Sequence, residues 1–146
     1  MECRIATLED LEQIAQLFDA YRVFYEQASD IKAAEAFLAE RIAHKESVII
    51  IAEKEGKLIG FTQLYPTFSS VSMQRFYILN DLYVVPEERK NGVGKALLLE
   101  AQALVKQKGW KGLALETAPD NPAQFLYEKL DWERDSEFYH YFWRNK

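Results

Sequence analysis

A mixed α/β layer fold, built as one domain over residues 1–146, is what this sequence predicts. Three observations point there. Short β-branched or apolar runs alternate with longer segments of helical period. A glycine-rich turn joins one such strand directly to a helix at Arg89-Lys90-Asn91-Gly92-Val93-Gly94-Lys95. No internal repeat, linker or low-complexity segment breaks the chain.

The elements follow in order. Arg4-Ile5-Ala6 reads as a first strand, and Thr7 ahead of Leu8-Glu9-Asp10 as an N-cap with acidic residues in the opening turn. A helix from Leu8 carries Leu11, Ile14, Leu17, Phe18, Tyr21 and Tyr25 at helical spacing. Asp30 caps a second one through Ile31, Ala34, Phe37, Leu38 and Ile42. Val48-Ile49-Ile50-Ile51-Ala52 is a buried strand, turned by Glu55-Gly56 into Leu58 to Tyr65, and Pro66 ends or bends that strand for want of an N–H. Thr67 to Ser72 is expected as a polar loop and Tyr77 to Val85 as the fourth strand. The next helix gathers Val93, Leu97, Leu98, Ala101, Leu104 and Val105 on one face and stops at Gly109. Leu113 to Thr117 is the fifth strand. Asn121 caps a helix with Pro122 at its first position, and Phe138 to Trp143 supplies the last strand.

The glycine turn carries the chemistry. A helix that opens on such a turn aims its first unpaired N–H groups, and the positive end of its dipole, at one point, where a phosphate is well held. A dinucleotide fingerprint needs a small residue three after Gly94 but meets Leu97, and a Walker A loop needs Ser or Thr after Gly-Lys but meets Ala96. What matches is the R-x-x-G-x-G loop of the GNAT superfamily of acyl-CoA-dependent N-acetyltransferases, which the chain resembles from Ser47 to Trp143. Asn121-Pro122-Ala123-Gln124-Phe125-Leu126-Tyr127-Glu128-Lys129-Leu130 resembles that family's second block, N-x-x-A-x-x-x-Y-x-K, with Asp131-Trp132 where the family has Gly-Phe or Gly-Tyr. Asn80-Asp81-Leu82-Tyr83-Val84 is similar to the strand found in diamine acetyltransferases and related histone or small-amine acetyltransferases.

The resemblance implies a mostly antiparallel sheet of six to seven strands, splayed between strands four and five and flanked by about four helices. It implies an N-acetyltransferase that uses acetyl-CoA as cosubstrate and has the amine attack the thioester directly, so that Cys3 is not needed as a nucleophile. Amides of Asn91, Gly92, Val93, Gly94 and Lys95 would cradle the diphosphate. Gly92 and Gly94 are there because a Cβ would obstruct approach or the required dihedrals, and Arg89 and Lys90 add charge. Backbone groups of Leu82, Tyr83 and Val84 would pair with the pantetheine arm, the Val84 N–H holding the developing oxyanion. Tyr127 would protonate the departing thiolate, with Asn121 in the same block. The family's diamine enzymes place a carboxylate where this chain has Asn80; an amide is no base, so Asn80 would orient a water and leave Glu116, Asp81 or a substrate-loop residue to relay the proton, with Glu116 the better acidic candidate and Asp81, facing the opposite side of the sheet, read as structural. Tyr21, Phe24, Tyr25 and Glu26 lie where the family walls its acceptor site, which makes them candidate substrate contacts beside Asn80 and Glu116.

Composition bounds the partners. A net charge of -5 argues against a nucleic-acid binder, and the single cysteine and two histidines against an internal disulfide or a metal site. No charged-then-apolar leader and no membrane-length apolar run is visible, so a soluble cytoplasmic enzyme is expected. The acceptor is expected to be the primary amine of a small molecule such as a polyamine or amino acid. The alternatives are a protein lysine or N-terminus, and a non-catalytic acyl-CoA-binding module that keeps the loop without proton-handling residues. The aromatic run Phe138 to Trp143 hints at a homodimer interface.

Overall fold

The structure, a computed structural model, describes residues 1–145. It comprises two compact units, Met1–Glu116 and a smaller one from Thr117 onward. The first holds a five-stranded sheet in the order β1-β2-β3-β4-β5. Its strands are β1 (Glu2–Ile5), β2 (Val48–Lys54), β3 (Lys57–Ser69), β4 (Gln74–Val84) and β5 (Leu113–Ala114), and its helices are α1 (Leu11–Phe24), α2 (Ile31–Ala43) and α3 (Val93–Lys108). The second holds α4 (Ala123–Lys129). β1 to β4 run antiparallel in sequence; β5 joins β4 in parallel.

Burial explains the layers. Phe61 and Tyr83 pack with Ile14, Leu17 and Phe18 of α1 and Ala34 and Leu38 of α2. Neighbouring Gly60 meets α3 instead: a Cβ there would lie 3.3 Å from Leu97 and Val93 side-chain atoms and 2.9 Å from the Tyr83 oxygen. Successive strand residues point to opposite faces, so α1 and α2 cover one face and α3 the other. Gly60 is thus what lets α3 approach the strand end from which the glycine turn departs. All six apolar positions expected on the inner face of α3 are buried.

The expected boundaries shift in four places. Thr7 caps a 3-10 turn, Leu8–Asp10, before α1 begins at Leu11. β3 runs through Pro66 to Ser69, and β4 starts at Gln74, so the Thr67 to Ser72 loop shrinks to a tight turn. Pro66 is tolerated for a physical reason. It pairs with Tyr77, whose N–H donates away from β3 to Gly112 O at 3.1 Å, so this is a non-hydrogen-bonded pair; the Pro66 nitrogen faces the outer edge, beyond the last β2 pairing at Val48↔Leu64. β5 ends at Ala114 rather than Thr117, which leaves Glu116 exposed and outside the strand. Phe138 to Trp143 is not a strand, and among the described residues the sheet has five strands rather than the expected six to seven. An unbroken aromatic run lacks the alternation that seats a strand on one face, and a two-residue β5 offers almost no edge to pair with.

In the second unit, α4 ends on Asp131 at φ +68°, the left-handed conformation that glycine takes most cheaply. The Asp131 N–H returns to Glu128 O at 3.1 Å and the Trp132 N–H to Tyr127 O at 2.9 Å, while the Trp132 and Tyr127 rings lie 5.8 Å apart. These are the two closing bonds and the hydrophobic contact of a Schellman ending, with Asp in the glycine place. Asp131 therefore forms this turn where the resembled family carries glycine.

Candidate active site

The centre of the first unit is the parting of β4 and β5. Their pairing consists of Tyr77↔Leu113 and Ile78↔Ala114, after which β4 has no further strand partner on that side, from Leu79 to Val84, among the described residues. The Val85 N–H donates to Ile59 O at 2.9 Å, and the register Phe61↔Tyr83 follows from it. In an antiparallel ladder the facing direction alternates, so Tyr83 and Asp81 turn their backbone groups to β3 while Leu82 and Val84 turn theirs to the edge that β5 leaves. The expectation that Tyr83 offers main-chain groups there is thus corrected: its ladder partner is Phe61, and its side chain is buried under α1.

Arg89 closes the strand end. Its Nε donates to Val84 O at 2.9 Å, and the guanidinium lies over the rings of Tyr83 at 5.5 Å and Phe24 at 5.6 Å. The Val84 carbonyl is thereby satisfied, and its N–H is left as the edge donor. Lys54 Nζ, 3.2 Å from Glu88 Oε1, ties the preceding turn to β2.

The loop then opens α3. Among the described residues no acceptor pairs with the N–H groups of Asn91, Gly92, Val93, Gly94 or Lys95; the first closing bond is from the Ala96 N–H to Gly92 O at 3.0 Å. Lys90 at φ +67° and Gly92 at φ +80° are both left-handed, and Gly92 caps the helix without a side-chain bond. Gly92 is therefore required by its dihedral. Gly94 is not: its φ is ordinary and an added Cβ would meet nothing within 4 Å. A glycine inside the first helical turn costs about 0.5–1 kcal/mol against alanine, and no neighbour in the chain requires it. Open space in front of Gly94, bordered by unpaired amides, fits a group that approaches the main chain closely, as a diphosphate does.

On the α1 side of the same strand lies a polar cluster. Asp81, 5% exposed, accepts from Gln63 Nε2 at 2.9 Å and from Asn80 Nδ2 at 3.2 Å, and the Tyr21 hydroxyl is near enough to act on its carboxyl. Burial pushes its carboxyl above the ordinary range, opposed by those three donors. Burial and the charge of Asp81 push Tyr65 up to about 12 and hold Tyr21 well above the usual phenol range. Tyr21 stacks edge-on with Tyr25 at 5.0 Å, and Tyr25, Phe24, Glu26 and Asn80 are exposed. Of the expected substrate contacts, Tyr21 and Asn80 thus meet at Asp81, a residue that sequence reasoning set aside as structural. The signal was available in Gln63, a lone amide among the apolar neighbours of β3.

In the second unit, α4 starts at Ala123 with Pro122 rather than Asn121 at its N-cap position; Asn121 Oδ1 still accepts from the Ala123 N–H at 2.9 Å, and Tyr127 is half-buried on α4. Cys3 is half-buried, with its thiol pushed up first by burial and then by Glu100. Among the described residues no group of three His, Cys, Asp or Glu could hold a metal ion, and no helix is long and apolar enough to cross a membrane.

Among the described residues, an uncovered strand edge running into a turn of unpaired amides is thus the main feature of the first unit. Residues 11–132 match the Acetyltransferase (GNAT) family, and the chain belongs to that family of acetyl-transferring enzymes. It is similar to the Uncharacterized N-acetyltransferase YhfO of Bacillus subtilis (strain 168), at 54% identity over 97% of this chain and 95% of the relative. A crystal structure of a probable acetyltransferase shares 40% identity and a TM-score of 0.93, covering 100% of this chain and 99% of that one. The Aminoglycoside N(6')-acetyltransferase type 1 of Klebsiella aerogenes is 30% identical over 60% of this chain and 59% of its own length.

Proposed function

We propose that the protein is an acetyl-CoA-dependent N-acetyltransferase whose acceptor is the primary amine of a small molecule. The observation that carries this is the unpaired run of amides from Asn91 to Lys95 beside the edge N–H of Val84. Acetyl-CoA supplies an activated acyl group and a diphosphate. The five loop amides and the α3 dipole bind the diphosphate, and the Leu82 and Val84 edge pairs with the donor's extended arm as a strand would. The Val84 N–H stabilises negative charge on the acyl oxygen, a donor of the kind worth about 3 kcal/mol in other enzymes. Tyr127, from the segment resembling the family's second block, gives its phenolic proton to the leaving thiolate.

An alkyl amine of pKa about 10.4 is neutral in about one molecule in 2,500 at pH 7, so its proton must be taken up. Exposed Asn80 positions a water for that transfer, and Glu116 receives the proton. A small-molecule acceptor is favoured by the likeness to an enzyme whose name specifies an aminoglycoside, and by the acidic, aromatic surroundings of Asp81.

The test follows thiol release from acetyl-CoA over a panel of polyamines, amino acids, aminoglycosides and lysine peptides. Turnover on a small amine that falls at least tenfold in Tyr127→Phe, with CoA affinity unchanged, is the expected result. CoA binding with no turnover on any member would instead make the protein an acyl-CoA-binding module.

A further inference from the structure

Asp81 is a buried carboxylate without a cation. Its three partners, Gln63, Asn80 and Tyr21, are all neutral, and among the described residues no Lys, Arg or His forms an ion pair with it. A buried charge ordinarily carries a counter-charge, because desolvation costs more than neutral hydrogen bonds return. Next to it a second acceptor is orphaned. Gln63 spends its Nε2 on Asp81, and its Oε1, on a fully buried side chain, has no partner. Two acceptors side by side, one charged and one lacking a donor, match a group with a positive charge and several N–H donors, which is an alkylammonium.

The way in is also built. Asn80, exposed to solvent, covers one Asp81 oxygen through a 3.2 Å bond that an incoming cation can replace. Tyr21 is the aromatic neighbour of Asp81 and meets the exposed Tyr25 ring at 5.0 Å, while the Phe24 ring carries the Arg89 guanidinium at 5.6 Å. Aromatic faces favour cations and exclude carboxylates.

We propose that Asp81, Gln63 and Tyr21 form a receptor for a second, non-reacting ammonium of the acceptor, so that the enzyme selects amines carrying two separated positive charges. This rests on the Val84 reading above. Asp81 lies three residues up the strand from Val84, about 10 Å away. Strand alternation turns the Asp81 side chain to the face opposite Asn80 and Val84, which places it for the other end of a diamine.

The test is calorimetric titration of the full chain, in the presence of CoA, with α,ω-diaminoalkanes from butane to decane and with n-alkylamines of matching length. The expected result is a preference for the longer diamines over their monoamine counterparts of about tenfold or more, lost in Asp81→Asn. Thermal unfolding of that variant verifies that it folds. In wild-type protein the side-chain amide resonance of Gln63 is expected to shift with the diamine and not with the monoamine, a readout that needs no variant. Equal affinity for the two series, no binding of either, an unmoved Gln63 amide, or a preference surviving Asp81→Asn would each overturn the proposal. A separate CoA titration distinguishes the failures: no CoA binding refutes the donor reading, whereas the Gln63 shift and diamine preference judge the cation receptor alone.

Discussion

Gly94 and Gly92 look alike in the sequence and differ in the structure, and that difference can be measured. The left-handed φ of Gly92 is a backbone requirement; Gly94 has ordinary dihedrals and open space ahead of its Cα. Gly94→Ala should therefore stabilise the protein by about 0.5–1 kcal/mol while weakening CoA binding at least tenfold, because the methyl fills the approach to the amides. Denaturant melts and a CoA titration on the same variant give both numbers, and a loss of stability would contradict the account. The motif made both glycines legible in the sequence, but their separate reasons were not, since φ and surrounding space belong to the folded chain. Asp81 shows the converse. Side-chain alternation placed it on the opposite face from Asn80, yet the Asn80 amide still bridges to it, a contact that strand periodicity alone does not reveal.

Among the elements, those with a long period were the most legible. α3 could be read from its apolar stripe and its glycine ending, and the β2–β3 hairpin from Glu55-Gly56, because those signals are local. Pro66 misled because its effect depends on which edge its nitrogen faces, a property of the neighbouring strands. The run Phe138 to Trp143 misled because β propensity without alternation and without a neighbour does not make a strand. At α4, Asp131 holds a left-handed φ of +68°, so Asp131→Gly should stabilise the protein by about 0.5–1 kcal/mol, seen as a raised unfolding temperature. Gly60→Ala should cost about 1–3 kcal/mol, because the new Cβ would meet the Tyr83 oxygen at 2.9 Å, and it should loosen CoA binding by displacing α3.

For the molecule as a whole, acid tolerance has an identifiable source. Arg4 bonds Asp10 and Glu53 at 2.8 Å each, clasping β1, the first helical turn and β2. Hydrogen bonds from Arg4 hold the Asp10 carboxyl at about 2 against an ordinary 3.8. A depressed folded-state pKa stabilises above the unfolded value, so this contribution is complete above pH 3.8 and lost as pH falls through about 2. Arg4→Met should remove about 1 kcal/mol at neutral pH, allowing for the solvent exposure of Arg4, and flatten the stability profile between those two values. The exposed aromatics Phe138, Tyr139, Tyr141, Phe142 and Trp143 support a proposed self-association, and light scattering giving the mass of two chains is the expected result.

The strand edge at Leu82 and Val84 has a cost as well as a use. Main-chain amides that no neighbouring strand covers are a template on which foreign strands can add, and this stretch lies inside the sheet of an otherwise well-packed layer. Whatever occupies that edge in the folded state also protects it, by about 2.7 kcal/mol at a ligand concentration a hundredfold above its Kd. If the proposed donor binds there, the tendency of this protein to aggregate should fall as acetyl-CoA is added.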